Sequence, residues 1–204
     1  WYRFTAPPGL RSLRCMLHAA AVDAWVDGHP VAIQSNASGE IRIILDEARK
    51  ACSRIAFRIV HAPGRYAGAA FAGPVYFTCE EGDIPLGDWC AYGLDTYSGI
   101  AVYSRAFHLD QRHLQGIVHL DLGTVATVGE VFVNGKSAGV SMAQPFRFDI
   151  THLAREGDNL LEVRVANTLA NHMSSYPTRF IFAGQTVSGL LGPVRLSMIS
   201  TPIG

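Results

Sequence analysis

Ile117-Val118-His119-Leu120-Asp121-Leu122 alternates without a break: Val118, Leu120 and Leu122 share one face, and Ile117, His119 and Asp121 share the other. A period of two is the signature of a strand with one buried side. The pattern continues in Glu130-Val131-Phe132-Val133 and in Leu160-Leu161-Glu162-Val163-Arg164-Val165. Working upstream, strands are expected over Leu13–Ala19, Val22–Val26, Ile41–Leu45, Ile55–Val60 and Val75–Cys79. Turn signals separate them at Pro7-Pro8-Gly9, Asp27-Gly28, Pro63-Gly64 and Gly73-Pro74. Short strands between frequent turns predict an all-β, antiparallel sandwich. Helical signals are confined to two short stretches. Asp46–Ala51 suits about one and a half turns, and Thr151–Gly157 suits another, with Thr151 capping and Gly157 terminating.

The chain repeats itself. Trp25-Val26-Asp27-Gly28 resembles Phe132-Val133-Asn134-Gly135, each an aromatic residue and a valine running into a tight hairpin turn. Ile41-Arg42-Ile43 matches Phe146-Arg147-Phe148. Ala56-Phe57-Arg58-Ile59-Val60 matches Glu162-Val163-Arg164-Val165-Ala166, and Gly73-Pro74-Val75-Tyr76-Phe77 matches Gly192-Pro193-Val194-Arg195-Leu196. The order is conserved between the halves, at offsets of 107, 105, 106 and 119 residues. Trp1-Tyr2-Arg3-Phe4 extends the match to Tyr103-Ser104-Arg105-Ala106-Phe107. A lead-in before that strand, from about Leu86 to Ile100, has no counterpart in the first copy, which therefore reads as truncated. The expectation is two tandem jelly-roll-like sandwich units, residues 1–82 and 86–201. Their boundary falls near Glu81-Gly82-Asp83-Ile84-Pro85.

Composition narrows the function. Of 204 residues, 49% are hydrophobic, enough for a substantial core, while only 17% are charged and the 17 basic residues balance the 17 acidic ones. A neutral chain offers no electrostatic footprint for nucleic acid or an anionic membrane. The apolar runs are too short to span a bilayer as a helix. Trp1 stands first and no signal peptide precedes it, which suits a processed or excised segment. Cys15, Cys52, Cys79 and Cys90 lack metal-site spacing. They suit buried small side chains, with a Cys79–Cys90 bridge as the competing reading.

The second half carries Gly87-Asp88-Trp89, Tyr97-Ser98-Gly99, Val131-Phe132-Val133-Asn134-Gly135, Pro145-Phe146-Arg147-Phe148-Asp149-Ile150-Thr151, Gly157-Asp158-Asn159-Leu160 and Ser188-Gly189-Leu190-Leu191-Gly192-Pro193-Val194. In that combination it resembles the galactose-binding-like jelly roll that accompanies family 2 glycoside hydrolases and many α-L-rhamnosidases. The resemblance implies an ancillary sandwich that binds sugar or braces the architecture, in a parent chain whose catalytic barrel lies elsewhere. Secretion or a periplasmic location follows from the same resemblance. So does a structural calcium ion as an option, although no ligand set for it can be assigned and no other cofactor is implied.

No catalytic residues are expected in this chain. Glycoside hydrolysis usually needs two carboxyl groups at a fixed separation. Glu80 and Glu81 are adjacent and, on a strand, point to opposite faces. The eight histidines lack the spacing of a helical zinc motif. Carbohydrate recognition needs aromatic faces together with amides or guanidinium groups. Candidates for it are Trp89, Tyr92 and Tyr97, and then Asn167, Asn171, His172, Tyr176 and Arg179. All fall in stretches expected to be loops, and the 167–179 stretch is longer than its counterpart at 62–72, which offers only Arg65 and Tyr66. Trp89 and Tyr97 have a competing role in packing the sandwich edge, as such residues do in the family. Trp25 and Phe132 are expected in the core. The functional expectation is a carbohydrate-contacting region of a larger glycoside hydrolase, partnered by that chain's catalytic domain. The alternative is a purely structural brace without a ligand.

Overall fold

The Asp27-Gly28 and Asn134-Gly135 dipeptides do what their sequence requires. All four residues have positive φ, at 52°, 82°, 52° and 77° in chain order, as a hairpin turn matched to the strand twist demands. A computed structural model describes residues 1–61, 63–64, 70–176, 179 and 186–200. Arg65 and Tyr66 lie outside the described residues.

The chain forms two compact units, residues 1–85 with 92–94 and residues 86–91 with 95–204. The first holds β1 (Tyr2–Ala6), β2 (Leu10–Met16), β3 (Ala21–Val26), β4 (His29–Val31), β5 (Gln34–Ser35), β6 (Glu40–Arg49), β7 (Ser53–Val60) and β8 (Tyr76–Cys79). The second holds β9 (Ile100–Leu109), β10 (Gly116–Asp121), β11 (Thr124–Ala126), β12 (Val128–Val133), β13 (Lys136–Ser141), β14 (Arg147–Asp149) and β15 (Gly157–Ala166). A short helix α1 (Ala170–Ser174), β16 (Gly189–Gly192) and β17 (Arg195–Ser200) complete it. Every strand pairing is antiparallel.

The first unit has two sheets, ordered β1-β7-β3-β4 and β5-β6-β2-β8. Their inner faces meet in one core built from Leu13, Cys15, Ala24, Val26, Ile41, Ile43, Ile55 and Phe57. The second unit has sheets ordered β13-β12-β15-β9, β14-β10-β17 and β11-β16. Val118, Leu120 and Leu122 are fully buried, as alternation requires, and so are Val131, Val133 and Val165. Gly129 on β12 is closely packed: a Cβ there would lie 3.3 Å from Leu122 and 3.6 Å from Phe146, so the Leu122 side chain would have to shift by a few tenths of an ångström. The fold is an all-β sandwich.

The repeat reappears in the pairing. Order β1-β7-β3-β4 corresponds strand for strand to β9-β15-β12-β13, and β6-β2-β8 corresponds to β14-β10-β17. Register agrees too. Trp25 faces Ala56, and Phe132 faces Glu162. Leu13 faces Ile43 and Phe77, while Leu120 faces Phe148 and Leu196. The opening strands need a one-residue adjustment. Tyr2 lies opposite Phe57 and Tyr103 opposite Val163, so Tyr2, not Trp1, corresponds to Tyr103.

Four local readings are corrected. Asp46–Ala51 is not helical, because β6 runs on to Arg49, which faces Leu10 on β2. Six residues cannot nucleate a helix against an available strand partner. Residues 150–154 form only one hydrogen-bonded turn, closed by the Ala154 N–H donating to the Ile150 carbonyl at 2.9 Å. Its cap is Asp149, which accepts from the Thr151 backbone and hydroxyl, while the Thr151 hydroxyl accepts from Val118 N–H. Gly157 opens β15. Trp25 and Phe132 are half-buried on the outer faces, and their neighbours Ala24, Val26, Val131 and Val133 fill the cores. Trp25 packs on Trp1 at 5.2 Å, and the Arg164 guanidinium covers Phe132 at 4.5 Å. The Cys79–Cys90 bridge does not form, since all four cysteines are free.

Alternation along β10 predicts a sharp contrast in stability. Leu120→Ala is expected to lower the unfolding free energy by about 3 kcal/mol, and Ile117→Ala, on the solvent face, by less than about 1 kcal/mol. Urea denaturation of both variants checks this, and equal losses would contradict the facing.

Candidate functional site

The stretch leaving β15 is organised by two asparagines. Asn167 ends the strand, where its Oδ1 accepts from Gly99 N–H at 2.8 Å and its Nδ2 donates to the Tyr97 carbonyl at 2.8 Å. One turn later, Asn171 on α1 is fully buried. Its Nδ2 donates to the Thr186 carbonyl at 2.8 Å and the Asp95 carbonyl at 3.2 Å. Its Oδ1 accepts from the Ser188 hydroxyl at 3.1 Å and from Asn167 Nδ2 at 3.2 Å. A buried amide must have its hydrogen bonds satisfied, and Asn171 has them on both sides.

The neighbouring motifs close the same knot. The Asp88 carboxylate accepts from Cys90 N–H at 3.1 Å and Ser188 N–H at 3.2 Å. Trp89 is fully buried, and its indole N–H donates to the Tyr103 hydroxyl at 2.7 Å. Gly189, at φ 114°, leaves room for that indole; a Cβ there would lie 2.4 Å from the Gly87 carbonyl oxygen. The Cys90 thiol donates to the Thr186 carbonyl at 3.3 Å, and burial together with the Asp88 carboxylate pushes its pKa up to about 11. A thiol held protonated in this way is no nucleophile.

The eight candidate residues therefore divide. Trp89, Tyr97, Asn167 and Asn171 come together, with Tyr97 packed edge-on against Trp89 at 5.7 Å. Trp89 and Asn171 expose no surface, so neither offers a face to a sugar; they are structural, and Trp89 takes the edge-packing role. His172 and Tyr176 are exposed and meet edge to face at 5.1 Å. The His172 backbone N–H donates to Ser98 Oγ at 3.1 Å, which ties α1 to the Tyr97-Ser98-Gly99 turn. Arg179 is exposed, while residues 177 and 178 lie outside the described residues. Tyr92 is half-buried and belongs to the first compact unit. What sequence reasoning missed is Ser188, whose hydroxyl joins both asparagines. The Ser-Gly-Leu-Leu-Gly-Pro motif was the available signal for it.

Glu80 meets Arg11 at 3.4 Å, and Glu81 is exposed. Among the described residues, no group of three or more His, Cys, Asp or Glu could hold a metal ion, and no helix is long and apolar enough to cross a membrane.

Residues 35–184 match the sugar binding domain of the family 2 glycosyl hydrolases, and the chain belongs to that family. A putative β-glucuronidase of Formosa agariphila is 38% identical over 93 residues, covering 43% of this chain and 8% of that protein. Among solved structures, a rhamnosidase from Novosphingobium sp. PP1Y is 24% identical with a TM-score of 0.46, covering 96% of this chain and 22% of that one. A β-glucuronidase from an uncultured Clostridium sp. is 25% identical with a TM-score of 0.43, covering 60% and 23%. The chain thus spans less than a quarter of each of these relatives.

The knot predicts a structural phenotype. Asn171→Ala strips the Thr186 and Asp95 carbonyls of a donor in a buried setting, and is expected to lower stability by about 2 kcal/mol or more. Chemical denaturation measures it. An effect within about 0.5 kcal/mol, the size of an ordinary surface substitution, would show that the amide is not holding the loop.

Proposed function

We propose that this chain is a non-catalytic, carbohydrate-contacting region of a larger glycoside hydrolase, and that the catalytic domain lies elsewhere in the parent chain. Each unit is taken as a galactose-binding-like sandwich, spanning residues 1–82 and 86–201. The observation that carries the sugar-contact reading is the pair His172 and Tyr176. The His172 imidazole on the short helix α1 and the Tyr176 phenol two residues past its end stand exposed, and the buried Asn171 fixes the base of that helix. Pre-organised aromatic and polar groups on a rigid base suit saccharide recognition: the ring faces take C–H surfaces, and the ring nitrogens and hydroxyl take sugar hydroxyls. Tyr97, Asn167 and Arg179 supply further exposed or half-buried polar groups of the same unit.

A second reading is favoured by another surface of that unit. Ile100, Val102 and Leu160 are each more than half exposed on β9 and β15. Exposed apolar side chains of this kind, here interrupted by the Arg164–Glu162 ion pair, suit a brace against another domain.

A glycan array probed with the 204-residue protein separates the two. The expected result is binding to a defined saccharide that falls about tenfold in His172→Ala and Tyr176→Ala, the loss of one good polar or stacking contact. Binding that is equal in wild type and both variants would place the site elsewhere. Absence of binding to any glycan would leave the brace.

A further inference from the structure

The two units carry the same sheet register but a different outer row at one position. In the second unit the row across β14, β10 and β17 reads Arg147, Asp121, Arg195. Asp121 sits between two arginines, and Arg147 donates to it at 3.3 Å. The corresponding row of the first unit, across β5, β6, β2 and β8, reads Gln34, Arg42, Arg14, Tyr76. An arginine stands where the other copy has its carboxylate. Arg14 and Arg42 are thereby placed directly opposite each other, a like-charge pairing that destabilises a sheet unless something compensates it.

The compensation within the unit is incomplete. Arg14 stacks over the Tyr76 ring at 4.3 Å, and among the described residues it forms no ion pair. Arg42 reaches Glu40 only at 3.9 Å. Arg11 projects from the bulge in β2, donates to the Leu45 carbonyl and meets Glu80 at 3.4 Å. The guanidinium groups of Arg11, Arg14 and Arg42 share this face with the carboxylates of Glu40, Glu80 and, further along the exposed side of β6, Asp46, and Arg14 is the one of the three arginines without an ion pair among the described residues. The face is also hollow. Arg11, Ser12, Arg14, Arg42, Ile44 and Thr78 line an open cleft of about 330 Å³, a size within the range of small-ligand sites.

We propose that this cleft is an anion subsite for an acidic saccharide, with Arg14 and Arg42 clasping a carboxylate or sulfate group carried on the sugar. The inference rests on the carbohydrate reading above and places a second, separate contact on the first unit. Guanidinium groups match a planar or tetrahedral oxyanion through paired N–H donors. Ile44 gives apolar surface for the ring, and the Ser12 and Thr78 hydroxyls can exchange hydrogen bonds with its hydroxyls. Ile44 is about half exposed, at 49%, which leaves that surface open to a ligand.

The test is calorimetric titration of the 204-residue protein with an oligouronate, a sulfated oligosaccharide and a neutral oligosaccharide of equal length. Arg14→Asp restores the row that the second unit already tolerates, so it is expected to fold, and Arg14→Gln removes the charge without adding one. The expected result is binding of at least one of the two anionic probes, weakened about tenfold or more in both variants by loss of a charge-assisted contact. It should also weaken steeply as salt rises from about 20 to about 500 mM. Binding of the uronate alone assigns a carboxylate, and binding of the sulfated probe alone assigns a sulfate. If neither anion binds, or if both variants bind as wild type does, the subsite does not exist. Neutral-glycan binding that survives in Arg14→Asp while anion binding fails in wild type sinks this inference alone. Failure of all three probes sinks this inference, and the glycan array then decides the carbohydrate reading.

Discussion

A single side chain at the first position of a two-residue turn sets the register of the β1-β7-β3-β4 sheet in the first unit and of the β13-β12-β15-β9 sheet in the second. In the second unit, Asn134 N–H donates to the Leu160 carbonyl at 2.8 Å, and its Oδ1 accepts from Leu160 N–H at 3.0 Å. Its Nδ2 then donates to the Leu153 carbonyl and to Asn159 Oδ1 at 3.0 and 2.9 Å, and Asn159 is itself buried and bonded to Arg155 and Gly157. In the first unit, Asp27 makes the same double contact with Arg54, at 2.9 and 2.8 Å. The hairpin is thereby bolted to the central strand rather than merely joined to its neighbour. A slip of one residue would send Val131 and Val133 outward and Phe132 and Glu130 inward. The buried face, and with it the whole sandwich, depends on that contact.

A shared register lets the two copies be compared position by position. Inner positions stay apolar in both, since each must fill a core. Outer positions are free to diverge, and they have. The second unit covers its short sheet with the Arg147–Asp121 pair, and its distinctive chemistry moves to the stretch after β15, where the buried Asn171 supports α1. The Gly123 N–H and the flanking arginines hold the Asp121 carboxyl below its ordinary pKa, so the row stays charged as pH falls further than an isolated carboxylate would. The first unit leaves the matching row unneutralised. Binding potential in this chain is thus read from departures between copies, more than from any single motif.

Much of this was legible in the sequence. Period-two alternation located the strands, the Asx-Gly dipeptides located the hairpins, and the four matched segments aligned the copies in the register that the sheets adopt. Phe132 was legible too, since its neighbours Val131 and Val133 already occupy the core face. Expecting a large aromatic inside overrode a parity that was plain. Other features were not readable. Asp46–Ala51 has helix-favouring residues, and its first four turned into strand only because β2 offers a partner. Asn171 reads as a polar loop residue, and only the closure of three distant segments supplies the carbonyls that bury it. Arg14 looks like any surface arginine until its cross-strand neighbour is known.

The register is therefore what most needs measuring. Nuclear Overhauser contacts between cross-strand backbone protons in the 204-residue protein read it directly. The account predicts that Arg14 lies opposite Arg42 and Asp121 opposite Arg147, with Leu13 facing Ile43 and Leu120 facing Phe148. Contacts placing Arg14 opposite Ile41 or Ile43 would contradict it, because the two copies would then no longer share a register and the row of arginines would dissolve.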